Sequence, residues 1–317
     1  MGHEEARADM TQILAALTQE YVLVVSDRRL TFVSGQRKGQ ILDDDTCKLV
    51  SLCGVWGIAY TSFSELEGVS THEWIALRLA ETNCRNPYVA AQVLSAHGAR
   101  ALKAAPFPLE LTFLIAGWRQ SSTEPLQPHF LLVTNMHNQR GDLRVSPSED
   151  LTVFERRLGP NELYASRVIG QSLPAGRGKH LDRFFRRLLR HGVGPKPAMY
   201  AFASEISNTS NNRLGVGNKL LAFSIPREAA RRAFQTGENL MLAKEPDLRS
   251  TAFCYFDPKY SQFRQHGPTF VCGDAAVTDV QTTDDPSRNS QSASFKILHL
   301  PKSGRLPALV ARATQRE

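Results

Sequence analysis

The 317-residue sequence is short of several things, and each shortage narrows what the protein can be. Apolar runs are brief: Val22 to Val25 and Leu111 to Gly117 stand among the longest, far below the roughly 18 residues a membrane-spanning helix needs. Met1 to Asp9 are polar and charge-rich, without the apolar segment of a secretory signal. Cysteine is sparse. Cys47, Cys53, Cys84, Cys254 and Cys272 are odd in number and form no C-x-x-C pair, which reads as free buried thiols in a cytoplasmic protein rather than a disulfide framework or a zinc site. Histidines such as His72, His97, His129, His137, His180, His191 and His266 are scattered, with no H-E-x-x-H spacing, so no metal site is expected. There is no G-x-x-x-x-G-K-[ST] phosphate loop and no internal repeat, so no cofactor is expected either.

What remains is the composition of an ordinary globular protein, 42% hydrophobic and 22% charged, with a formal charge of +7. The charge is regional. Glu155 to Arg232 holds fifteen Lys and Arg against five Asp and Glu. Part of the excess lies in His180 to His191, where Leu181, Phe184, Phe185, Leu188 and Leu189 fall at helical spacing and Arg183, Arg186, Arg187 and Arg190 occupy the other face. Such a face is most simply solvated or a subunit contact. Nucleic-acid binding is the lesser alternative, because the phenylalanines sit at core positions and are poor stacking platforms.

Along the chain, apolar runs at Gln12 to Leu17 and Tyr21 to Ser26, separated by Thr18-Gln19-Glu20, predict a hairpin, and Cys47 to Leu52 and Val55 to Tyr60 predict two more strands. A helix is expected from Ser64 to about Asn83. Asn86-Pro87 offers an N-cap with proline at the first helical position, opening a second helix over Tyr88 to Lys103. Strands follow at Leu109 to Gly117, Phe130 to Asn135, Leu151 to Glu155 and Leu163 to Ile169. Then come the arginine-rich helix, a helix over Ala198 to Ile206, and a strand over Val216 to Ile225. Thr278 to Ser294, rich in Asp, Ser, Thr and Gln, reads as a mobile tail.

One stretch carries chemistry. Met10-Thr11 begins a strand, a hairpin follows, and Ser26-Asp27-Arg28-Arg29 ends the second strand, with Asp27 sixteen residues after Thr11. This resembles the start of proteasome β-type subunits and their bacterial relatives, members of the N-terminal nucleophile hydrolases; Phe113 to Gly117 and Gly215-Val216-Gly217 match later parts of that pattern. The resemblance spans about Thr11 to Arg227. It implies an α+β fold, a four-layer αββα sandwich, with residues 1–10 as a leader or alternative start, 11–236 as the domain and 237–317 as a C-terminal extension with a partly disordered tail.

It also implies roles. Thr11, as an amino-terminal residue, attacks an amide carbonyl through its hydroxyl while its own α-amine, with an ordinary pKa of about 8, takes the proton. That requires removal of what precedes it, either Met10 alone or a ten-residue leader. Asp27 orients the nucleophile and a neighbouring cation, Arg29 supports it, and Ser172 in Gly170-Gln171-Ser172 stands for a further family serine. The pattern also departs from the family. A Lys is expected sixteen residues after the Asp, and Asp43 or Asp44 stands there, so the catalytic Lys reads as missing; Lys38 and Lys48 are the nearest cations, with Lys48 at the start of the following strand. Thr61 takes the place of a glycine whose amide helps bind an oxyanion, and Ser207, Asn208 and Ser210 fill another motif without its Asp. The resemblance therefore admits two functions: a threonine-type hydrolase of peptide or amide substrates, or a non-catalytic assembly protein. In both, the partner is a second copy in a homo-oligomer, with no membrane.

Overall fold

The computed structural model describes residues 11–31, 40–61, 64–105, 108–120, 125–137, 146–213, 215–236, 252–257, 262–265, 269–285 and 290–298. The fold is α+β, with five helices and two large sheets among these residues. The chain divides into two compact units, the first made of Met1–Lys48, Trp118–Pro128 and Arg157–Gln265, the second of the rest.

The first unit is organised by one antiparallel sheet, in the order Tyr164–Gly170, Gln12–Thr18, Tyr21–Asp27, Leu220–Pro226, Ala252–Asp257, Gln262–Gln265. The sequence explains its centre. Gln12–Thr18 and Tyr21–Asp27 are apolar without alternation, the pattern of strands buried on both faces, and every residue of both is buried. Thr18 closes the turn between them, its Oγ1 accepting the Tyr21 amide at 2.8 Å and donating to the Tyr21 carbonyl at 2.7 Å. Register then does the positioning. Ile13 lies opposite Ser26, Gln12 opposite Gly170 and Leu220 opposite Asp27. The end of one strand, the start of another and the approach to a third therefore converge at one end of the sheet's central strands.

One face of that sheet packs against the helices Arg177–Arg190 and Pro195–Ser210. Leu14, Ala16, Leu23, Val25, Leu220 and Ala222 meet Leu181, Phe185, Met199, Phe202 and Ile206. Phe185 and Phe202 touch with ring centroids 5.0 Å apart, and burial of each contributes about 1.5–3 kcal/mol. The arginine-rich helix begins three residues earlier than the sequence suggests, after Gly176 at φ 80°, a left-handed conformation that glycine adopts without steric cost.

The second unit carries the eight-stranded sheet's central strands Trp56–Tyr60 and Leu49–Leu52, and the helices Thr71–Glu81 and Pro87–Ala104. Asn86 caps the longer helix as expected, accepting the Tyr88 amide at 2.8 Å with Pro87 at the first helical position. The shorter helix starts at Thr71, not Ser64. Glu67 and Gly68 both take positive φ, 52° and 82°, and turn Glu65–Leu66 back on Val69–Ser70 as a small hairpin instead.

Two expectations are overturned in this unit. The segment read as a mobile tail forms the strands Ala275–Asp285 and Ser290–Ile297, paired antiparallel, because its frequent threonines suit a strand as well as a polar coil. Cys53 and Cys272 are joined as a disulfide, not free. They lie 219 residues apart in sequence, a separation at which spacing carries no signal. They meet because Thr269–Cys272 pairs parallel with Leu49–Leu52. Cys47, Cys84 and Cys254 form no disulfide among the described residues. Residues beyond 236 thus add strands to both large sheets. No helix among the described residues is long and apolar enough to cross a membrane.

Candidate active site

Asp27 is the fixed point of the site. Wholly buried at the end of its strand, its carboxylate accepts three backbone amides: Gln12 N–H at 2.9 Å on Oδ1, and Arg29 N–H at 3.1 Å and Gly217 N–H at 3.0 Å on Oδ2. Three charge-assisted bonds hold the carboxylate in one orientation. The Gly217 amide can approach because there is no side chain: a Cβ there would lie 2.8 Å from the Cβ of Arg29.

Against this carboxylate lies Lys48, its side chain 1% exposed. Its ammonium donates to Thr11 Oγ1 at 2.6 Å, reaches both Asp27 oxygens at 3.4 Å and bonds the Arg29 carbonyl. Burial pulls the Lys48 pKa below the usual lysine value, and the Asp27 carboxylate beside it opposes that fall. Thr11 is 6% exposed and is tied at its carbonyl by the Gln171 amide at 3.1 Å, while Gln12 Nε2 donates to the Gln171 carbonyl at 2.9 Å. A hydroxyl held against an ammonium in a water-poor setting is easier to deprotonate, since the alkoxide formed is stabilised where water is not.

Thr11, Asp27 and Arg29 are therefore brought together. Ser172 lies one residue beyond Gln171, but its side chain is exposed, and among the described residues no hydrogen bond joins it to Thr11. Thr61 N–H donates to the Thr112 carbonyl at 3.0 Å, so that amide is committed to backbone pairing. Lys38 lies outside the described residues, as do residues 1–10. Among the described residues no group of three or more His, Cys, Asp or Glu is placed to hold a metal ion.

The reading of a missing Lys needs correction. Counting sixteen residues from Asp27 lands in Asp43–Asp45, but the chain brings a cation to Thr11 and Asp27 a few residues later, at Lys48. One sequence signal points to it: Lys48 is a lone charge immediately before the apolar run Leu49–Leu52, and a charge carried into a buried strand needs a fixed partner. Gly217 stands out in the sequence only as a pattern match; its amide on Asp27 depends on a contact 190 residues away in sequence.

No protein-family description matches the chain and no curated protein does. Among solved structures it is similar to Anbu (ancestral beta-subunit) from Yersinia bercovieri, at 17% identity and a TM-score of 0.40, with 68% of this chain and 81% of that one covered.

Proposed function

We propose that the protein is a proteasome-like, threonine-type hydrolase of peptide or amide bonds, with Thr11 as nucleophile. The observation that carries this reading is the Lys48 ammonium 2.6 Å from Thr11 Oγ1, backed by the buried Asp27 carboxylate. Once Thr11 is amino-terminal, its α-amine takes the hydroxyl proton as Oγ1 attacks the carbonyl carbon. The C–N bond of the substrate then breaks, the amine leaves with that proton, and an acyl ester remains on Thr11. Water hydrolyses the ester, returning the hydroxyl and releasing the acid. Lys48 holds its hydrogen bond to the oxygen throughout, and Asp27 holds Lys48.

A second reading has its own support in the sequence. While Met10 remains attached, the Thr11 nitrogen is an amide and accepts no proton, and the cluster then serves only to anchor the central strand ends of a non-catalytic assembly protein. Mass spectrometry of the mature protein separates the two. Protein beginning at Thr11 should be acylated by a β-lactone on that residue, and Thr11→Ala should abolish labelling while Ser172→Ala keeps it. Lys48→Met should slow acylation by about 10²–10⁴-fold. A mature chain that keeps residues 1–10, or label retained in Thr11→Ala, excludes the hydrolase.

A further inference from the structure

We infer that the acidic run Asp43–Asp45 is a clamp that positions Lys48 against Thr11, acting through Arg28 and Arg29. This rests on the hydrolase reading for its consequence, though not for its geometry. Read from spacing alone, three carboxylates at this point oppose the chemistry. Their partners turn them into its support.

Each of the three has its own task. Asp43 folds the turn on itself, accepting the Asp45 amide at 2.9 Å and the Thr46 hydroxyl at 2.6 Å. Asp44 receives Arg29 through a two-point fork, Nε at 2.6 Å on Oδ1 and Nη2 at 3.2 Å on Oδ2, while Nη1 of the same guanidinium donates to the Val216 carbonyl at 3.1 Å. Asp45 binds Lys219 at 2.8 Å and Arg28 at 3.4 Å. Arg28 in turn donates to the Asp45 and Thr46 carbonyls, and its own carbonyl accepts the Thr46 amide at 3.2 Å.

The consequence follows from where these contacts end. The backbone of Arg29 is part of the site, its amide on Asp27 and its carbonyl under the Lys48 ammonium. Lys48 follows Asp44 by four residues, so one ion pair fixes both the acceptor and the chain that delivers the donor. Val216, gripped by the same guanidinium, precedes the Gly217 whose amide completes the cradle of Asp27. A planar guanidinium suits this fork and a lysine does not. The pair is partly exposed, with 13% of Arg29 and 32% of Asp44 side-chain surface open, so its worth lies in alignment more than in stability.

Asp44 and Arg29 also act on Lys48 through space in opposite senses, the carboxylate favouring the protonated ammonium and the guanidinium disfavouring it. Those opposite senses add a titration signature to the rate effect of alignment, and the two together supply the test. The rate of Thr11 acylation by a β-lactone is measured against pH on full-length protein beginning at Thr11, together with the ¹³Cε titration of Lys48 by NMR. Acylation should fall at high pH as Lys48 loses its proton. Asp44→Asn should slow acylation about tenfold or more and move that alkaline limb to lower pH. Arg29→Gln should move it to higher pH, and Asp44→Glu should recover most of the rate. Equal rates and limbs in Asp44→Asn and wild type overturn the clamp, as does movement of both limbs in the same direction. If wild type is not acylated while the Lys48 titration shifts as stated, the hydrolase reading falls and the clamp stands. If wild type is acylated and neither measurement responds, the clamp falls alone.

Discussion

Lys48 and the arginines of the helix Arg177–Arg190 are both positive charge concentrated in the first unit, yet their surroundings differ in kind. Lys48 has 1% of its side chain exposed and Arg186 has 50%. The Lys48 ammonium donates to a hydroxyl, a carboxylate and a carbonyl, and the carboxylate is itself held by three backbone amides. The helix offers its arginines one acid of its own, Asp182, which binds Arg186 four residues on; Arg186 also lies over the ring of Tyr164, and Tyr164 hydroxyl donates to the same Asp182. A charge in water relaxes its surroundings to suit itself, and its neighbours are worth little. A charge out of water depends on what was built around it, and removing one partner leaves the other stranded.

That contrast is broken most severely at Asp27. Asp27→Asn keeps the shape and removes the charge that faces Lys48 and three backbone amides. One oxygen becomes an NH₂ group that points a donor at donors. The expected loss is about 3–5 kcal/mol of unfolding free energy, read from the urea midpoint at unchanged m-value. A loss below about 1 kcal/mol means the carboxylate is not what holds these strand ends together.

Gly217→Ala sharpens the comparison without touching a charge. The added Cβ meets the Arg29 Cβ at 2.8 Å and its backbone nitrogen at 3.2 Å, so the Gly217 segment or Arg29 must move. Either shift lengthens a bond to Asp27. Overpacking of this kind costs about 1–3 kcal/mol, and acylation of Thr11 should slow with it. An alanine variant with wild-type stability places the Gly217 amide bond to Asp27 outside the energetics of the site.

These residues also show what a sequence discloses. Strand and helix identity was legible through most of the described core, because apolar periodicity and capping are local: Gln12–Thr18, Tyr21–Asp27 and the Asn86-Pro87 helix start all follow from neighbours in sequence. Thr11, Asp27 and Arg29 were legible as a constellation because one hairpin carries them. Lys48 was hidden by the length of a connection, and the role of Asp43–Asp45 by the sign of its charge, since a carboxylate that neutralises an arginine looks the same in sequence as one that opposes a lysine. The Cys53–Cys272 bond was hidden for a related reason, because parallel pairing of distant strands leaves no trace in local spacing.

The smallest effect is expected at the other pole of the comparison. Arg183, Arg187 and Arg190 are exposed, while the helix is held by Leu181 and Phe185 beneath them. Changing Arg183 and Arg187 to Gln keeps long, helix-compatible side chains and removes two charges from a region with a large basic excess. Mutual repulsion among the remaining arginines falls slightly, and no buried group loses a partner. Stability should therefore change by less than about 0.5 kcal/mol in either direction, with any difference vanishing as salt is raised to about 1 M and the screening length shrinks to roughly 3 Å. A larger, salt-resistant loss would show that these arginines hold something the solvated face does not account for, and the distinction between buried and exposed charge would have to be redrawn around them.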